Sequence, residues 1–428
     1  MIFQDVNWMR GYGTKICPEL RKRVLDCYRP TRLTPCFLQK SIGKLTRRWK
    51  KFPIIVQLEK YAVHAISTYS LAEETGCKLK KNLQVIDAFA SEVTTEQLEK
   101  LLRNKNVKKI WHDGEVHAVL DAASPTVGAP GLWDEGYTGK GIVIAVLDTG
   151  IYNHPDLQNR VLDFKDLIND DTNPYDDNGH GTHVAGCAAA SGSESNGKYK
   201  GPAPEAGLVG VKVLNKSGSG SLSTVIEGIG WCVQNKERLS IRIINLSLGS
   251  NAYQSHRDDP VCQAAVRAWE AGIVVCAAAG NSGPQPRTIN SPAIEPGILT
   301  VGAINDRNPN EEGFVAEFSS RGPTIDGLVK PDVCAPGVQI TALRSPGSTI
   351  DKQNRDARID NWHTSLSGTS MATPVCAGVI AQLLQQNPFL TPDQIKNLLT
   401  ETANPLTGYG ENDQGAGVVN AHRASQTP

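Results

Sequence analysis

The sequence predicts an α/β protein built on a parallel sheet, and three observations predict it. Beyond residue 120, short apolar runs alternate with longer helical patterns, the order of repeated strand–helix units. The runs are apolar throughout rather than at alternate residues, as strands covered on both faces must be. Polar, glycine-flanked motifs stand at the ends of those runs, where open parallel sheets gather their ligand sites.

Taken in order, the runs at 142–147, 208–214, 241–246, 273–278 and 298–301 read as strands. Helical periodicity falls at 180–190, 223–235, 261–271, 370–386 and 392–400. The polar stretch 345–363 reads as a surface loop, and no internal repeat is found. Upstream, 53–120 gives the order βαββαβ expected of a small split βαβ sandwich. Its strands fall at 53–58, across 79–93, at 107–111 and at 116–120. Its helices fall at 63–75, closed by Gly76, and from Thr95, which serves as the capping threonine. The first 52 residues show no sustained period beyond a short helix at 18–27. The expected organisation is a basic extension (1–52), a small α+β domain (53–120) and a catalytic α/β domain (121–428).

Composition narrows the function classes. With 39% apolar residues among 428, a packed core is assured, and no apolar run reaches the roughly 18 residues a spanning helix needs. The formal charge balances, yet residues 1–52 carry 13 Lys/Arg against 3 Asp/Glu, while 121–428 carry 22 against 32. A basic head suggests nucleic acid or an anionic membrane. Without stacking aromatics in a recognisable nucleic-acid fold, docking on the chain's own acidic domain is the simpler expectation, so neither partner is expected. The N-terminus lacks the pattern of a secretory signal, and Cys187, Cys262, Cys276 and Cys376 lie inside apolar stretches. Reduced cysteines and a cytoplasmic setting follow as expectations.

Four motifs carry chemistry. The strand 142–147 runs into Asp148-Thr149-Gly150; the Asp alone could cap a turn. Asp176-Asp177-Asn178-Gly179-His180-Gly181-Thr182-His183 opens a helix, with glycines beside His180 that allow close backbone approach. His180 and His183 have a spacing a metal could use, but no zincin pattern surrounds them, and a packed His183 is the plainer reading. Gly368-Thr369-Ser370-Met371-Ala372 opens another helix, where a Ser could merely cap, but where developing negative charge is favoured. Finally, an apolar strand enters Ala278-Ala279-Gly280-Asn281, whose amide could donate to an oxyanion.

Asp, His and Ser in this chain order match the order of the subtilisin triad. On these motifs the chain, over about 131–428, resembles the subtilisin family (subtilases, S8 type) of serine proteases, in particular bacterial intracellular members of the AprX type. The resemblance implies a three-layer fold with a central parallel sheet. It implies a serine endopeptidase with Ser370 as nucleophile, His180 as general base and Asp148 as its orienting carboxylate. Asn281 and the Ser370 N–H would hold the oxyanion. It also implies a groove walled by Ser247-Leu248-Gly249 and by Ala278-Ala279-Gly280, with Gly218-Ser219-Gly220 as an edge strand. The substrates would be proteins or peptides. No acid lies in the walls, so a broad, apolar preference before the scissile bond is expected.

The family's prosegment would correspond to 53–120, as an intramolecular inhibitor, with self-cleavage expected between 115 and 122. The chemistry needs no cofactor. A structural calcium is possible, but 187–200 lacks the Asn-rich loop of secreted relatives, although Asp156 matches one ligand, so the metal set is unknown. Rival readings are a catalytically silent binding module and an esterase with a Gly-x-Ser-x-Gly elbow. The latter is disfavoured because the Ser370 motif ends in Ala372 and opens a helix.

Overall fold

The computed structural model describes residues 9, 11–27, 50–59, 68–113, 115–118, 124–306 and 313–427. The chain divides into two compact units, Met1–Gly114 and Glu115–Pro428.

In the first unit, strands β1 (Lys51–Leu58), β2 (Lys78–Leu83), β3 (Ala88–Thr94) and β4 (Val107–His112) form a sheet in the order β2-β3-β1-β4. Its three pairings are antiparallel. β1 is buried along nearly its whole length, as the unbroken run Ile54-Ile55-Val56 requires. The described part also holds helices Pro18–Cys27, Thr68–Thr75 and Thr95–Arg103 and the short turn of helix Gln84–Ile86. The cap of the last helix is Thr94, not Thr95: its Oγ1 accepts the Gln97 N–H while Gln97 returns a bond to the Thr94 N–H. The start of the helix expected from 63, and most of the 1–52 extension, lie outside the described residues.

The second unit contains β5 (Glu115–Ala118), β6 (Val143–Asp148), β7 (Val161–Asp166), β8 (Gly207–Lys212), β9 (Ser219–Ser221), β10 (Ile241–Leu246), β11 (Leu248–Gly249), β12 (Val274–Ala278), β13 (Leu299–Asn305), β14 (Phe314–Val315), β15 (Val333–Pro336), β16 (Ile340–Leu343) and β17 (His363–Leu366). The main sheet runs β14-β13-β12-β10-β6-β8-β7, with β15 also on β13. Every pairing in it is parallel except β13 with β14. The expected parallel α/β sheet is thus present. β6 is buried at all six positions, the reason its sequence is a continuous apolar run.

Alternation along β6 sets the layers. A Cβ at Gly228, in helix Leu222–Gln234, would meet Leu147, whereas one at Gly181, in helix His180–Ala189, would meet its neighbour Asp148. Adjacent strand residues point to opposite faces, so the two helices cover opposite sides of the sheet. Helix Thr369–Gln386 is buried from Thr369 through Leu384, as a helix apolar on every side must be.

From β6 the chain first builds β7 and β8 on one side, then β10, β12 and β13 on the other. The strand order therefore reverses between β6 and β10, the kind of crevice in which open α/β sheets bind ligands. The stretch 345–363 is not a plain surface loop. It contains helix Thr349–Gln353, and its Ser345, Ser348, Asp351 and His363 are buried.

Candidate active site

Three neighbouring strands deliver polar groups to one edge. β6 ends in Asp148, β10 is followed by Ser247, and β12 is followed by Ala279, Gly280 and Asn281. Register places Val146 beside Asn245, and Leu246 beside Ala277. Asp148 and Ser247 each lie two residues past the last registered pair of β6 and β10, Val146 and Asn245, at the same ends of adjacent parallel strands.

His180 begins its helix directly over that edge, fully buried with Asp148, and its Nδ1 lies 2.6 Å from Asp148 Oδ1. Facing a carboxylate, Nδ1 carries the proton, which makes Nε2 the basic nitrogen of the neutral ring. Asp148 Oδ1 also accepts the Thr149 N–H at 2.7 Å, fixing the carboxylate. The close approach depends on two glycines: a Cβ at Gly181 would lie 2.1 Å from the Gly150 carbonyl oxygen, and Gly150 itself adopts φ +117°.

The residues before His180 are tied down with equal density. The Asp176 carboxylate accepts Thr149 Oγ1 at 2.9 Å, the Gly179 N–H at 2.8 Å and Thr182 Oγ1 at 2.7 Å. Lys212, wholly buried, donates to the Thr149 carbonyl at 2.5 Å and to Asp177 Oδ1 at 2.8 Å.

Ser370 is the second residue of its helix and is buried. Four residues on stands Pro374, which has no N–H to offer the Ser370 carbonyl. Ser247 Oγ donates to that carbonyl instead, at 2.5 Å, so the nucleophile candidate is anchored to the end of β10, beside Asp148. Asn281 Oδ1 accepts the Thr369 N–H at 2.9 Å and Thr369 Oγ1 at 3.2 Å. Its Nδ2 is left buried with no hydrogen-bond partner among the described residues.

The expected groove segments also converge. β5 lies between β9 and β11, antiparallel to both, with His117 opposite Ser219 and Gly249, and Val116 opposite Gly220. Leu248 pairs with Ala118, while Gly218 turns the chain into β9 at φ +75°. On the other wall, Ala279 is buried and Gly280 has φ +109°. The sequence reading missed Asn290. A Cβ at Gly280 would lie 2.8 Å from its amide, and one at Gly249 3.1 Å from its Cβ, so this side chain bridges the two walls. No local motif marks it.

The metal alternatives fare differently. His183 has Nε2 3.2 Å from the Thr364 carbonyl oxygen and Nδ1 3.4 Å from Cys187 Sγ, and burial together with nearby His180 pulls its pKa down to about 3. It is a packed histidine. Among the described residues no group of three or more His, Cys, Asp or Glu could hold a metal. Asp156 does not fit a calcium ligand. Its carboxylate faces the Gly192 N–H (2.9 Å), Ser193 Oγ (2.7 Å) and the Glu194 N–H (2.8 Å), donors where a cation would sit.

The Peptidase_S8 model, described as the subtilase family, matches residues 139–420. Serine protease AprX of Bacillus subtilis (strain 168) is 46% identical over 435 residues, covering 99% of this chain and 98% of that protein. Subtilisin E of the same organism is 33% identical over 391 residues, covering 88% and 91%. Among solved structures, fervidolysin from Fervidobacterium pennivorans, a keratinolytic enzyme related to subtilisin, superposes with a TM-score of 0.70 at 25% identity. The match covers 89% of this chain and 61% of that one. The chain belongs to the subtilase family and is a subtilisin-like serine protease.

Proposed function

We propose that the protein is a serine endopeptidase working through Asp148, His180 and Ser370, made as a zymogen that cuts itself. The observation that carries this reading is the buried 2.6 Å contact between Asp148 and His180 Nδ1 at the strand-order reversal. Held in that tautomer, His180 Nε2 takes the Ser370 proton as Oγ attacks a peptide carbonyl. Asp148 stabilises the imidazolium, which then protonates the leaving amine. Water, activated by the same nitrogen, hydrolyses the acyl-enzyme. The unpartnered Asn281 Nδ2 and the Ser370 N–H receive the charge on the tetrahedral oxygen. That orphan amide favours catalysis over a silent binding module: a buried donor without a partner is costly unless function requires it.

Substrate strands pair with β9 and β11 through main-chain bonds, so the sequence preference is broad. Walls free of acids admit apolar side chains before the scissile bond. β5, continuous with the chain upstream, takes the place of such a strand. The preceding residues act as an inhibitory prosegment, and the first cut falls in 115–122; residues 119–122 lie outside the described set. The eight cysteines whose side chains are described are buried and none of them forms a disulfide, in keeping with a reducing, cytoplasmic setting.

Incubating wild type and Ser370→Ala with casein, followed by mass analysis and N-terminal sequencing, tests the reading. Wild type is expected to degrade casein, to take an organophosphonate on Ser370 and to start near 115–122. Ser370→Ala stays full-length and inert. An unlabelled, inactive wild type overturns the proposal.

A further inference from the structure

Resting on the reading above, we propose that residues 344–363 form a strap whose task is to hold His180 in register, with Thr349 and Asp351 as positioning residues. The strap reaches the segment before His180 at four points. The Thr349 N–H donates to the Asp177 carbonyl at 2.9 Å and the Ile350 N–H to the Asn178 carbonyl at 2.9 Å. Ser345 Oγ donates to the Asp176 carbonyl at 2.8 Å, and Thr349 Oγ1 to the Asp177 carbonyl at 3.2 Å. A methyl at Gly179 would meet Ser348 Oγ at 2.5 Å, so the two segments are in direct contact. Asn178 relays the hold, since its Oδ1 accepts the His180 N–H at 3.2 Å.

The strap is itself knotted. Asp351, 3% exposed in its side chain, accepts Arg344 Nε at 2.5 Å, Arg344 Nη2 at 3.0 Å, Arg358 Nε at 2.7 Å and the Gly347 N–H at 2.8 Å. Arg358 also donates to the Asp351 carbonyl at 2.7 Å, and Arg344 to the Asn361 carbonyl at 2.8 Å, which draws the strap's two ends together. Burial works to raise the Asp351 pKa, but the Arg344 pair, the Gly347 N–H and Arg358 outweigh it and hold the carboxyl at about 2. The knot therefore stays charged wherever the enzyme works.

This arrangement exceeds what anchoring a surface excursion needs. A strap held only for its own sake would close on itself. Here the first turn of helix Thr349–Gln353 spends its free N–H groups on Asp177 and Asn178. Those carbonyls belong to the residues immediately before the general base, and Lys212 and Thr149 grip the same segment from the sheet side. Errors in such a frame reach the chemistry: a displacement of about 1 Å can cost 10²-fold in rate.

Thr349→Pro is the decisive variant. Position 349 is the first residue of its helix, where proline is well tolerated, and Ser348 before it already has φ −65° and ψ 171°, as a residue preceding proline requires. The substitution removes the bonds to Asp177 and little else. With active sites titrated by an organophosphonate, we expect Thr349→Pro to keep a near-normal Tm while kcat falls about 10-fold to 100-fold. KM should change less than twofold, and the acid limb of the kcat/KM profile should shift. Asp351→Asn should act alike, and Asp351→Glu should recover most of the loss. If Thr349→Pro leaves kcat per titrated site and the acid limb unchanged, the inference is overturned, even if Asp351→Asn fails to fold. An inactive, unlabelled wild type would instead sink the triad reading.

Discussion

The hydroxyl of Ser247 holds the carbonyl of Ser370 at 2.5 Å, in the place of the N–H that Pro374 lacks. A residue read from the sequence as pocket wall is thus also the tether of the serine helix. Ser247→Ala leaves a buried carbonyl unpaired, a loss of about 1–3 kcal/mol. We expect a lower Tm and a lower kcat, with Ser247→Thr restoring both; a Thr variant no better than Ala would refute the tether.

Asn281 offers a cleaner test of transition-state binding, because its Oδ1 is committed to Thr369 and its Nδ2 to nothing described. Asn281→Leu is expected to lower kcat by about 10²–10³-fold with KM little changed. Steady-state kinetics on one peptide series separates the two constants, and a loss confined to KM would exclude the oxyanion role.

Specificity should yield to Asn290, which bridges the two walls. Asn290→Gly opens the space, and the kcat/KM ratio of Phe over Ala before the scissile bond should rise about 10-fold or more, the worth of a few methylenes in a pocket. An unchanged ratio across a peptide library would place Asn290 outside the pocket.

Asp156 answers for the neighbouring loop without a metal. Asp156→Ala strands the Gly192 and Glu194 N–H groups and should cost about 2 kcal/mol or more. Urea unfolding in a Ser370→Ala background reads the loss, and an Asp156→Ala variant as stable as its parent would contradict the geometry.

Alkaline stability turns on Lys330. Burial lowers its pKa to about 8, although Asp332 lies 2.6 Å away. An unfolded lysine titrates near 10.4, so between pH 8 and about 10.4 the unfolded chain binds more protons, and this group's contribution to stability rises with pH. Below pH 8 both states are charged and the slope vanishes. In a Ser370→Ala background, the difference between Lys330 and Lys330→Met in urea unfolding should grow by about 1–2 kcal/mol from pH 8 to 10. Parallel pH profiles would show that the ammonium titrates elsewhere.

Much of this was legible in the residues. Continuous apolar strands ending in Asp148 or entering Asn281, and helices opening on His180 and Ser370, are local signals, and the structure brings them to one edge. Strand Val161–Asp166 escaped because it pairs on one side only and reverses the usual pattern, exposing Leu162 while burying Asp166 and half-burying Asp163 and Lys165. The contacts of 345–363 escaped because they run from two backbone N–H groups and two hydroxyls to carbonyls some 170 positions away, a relation no local pattern records. Asn290 stands between two glycines distant in sequence, a relation no linear pattern records.

Strand β5 and the walls it lies between are parts of one polymer. The self-cleavage proposed above would then need no encounter between molecules: its half-time should be unaltered by a hundredfold dilution, whereas cutting in trans would slow in proportion.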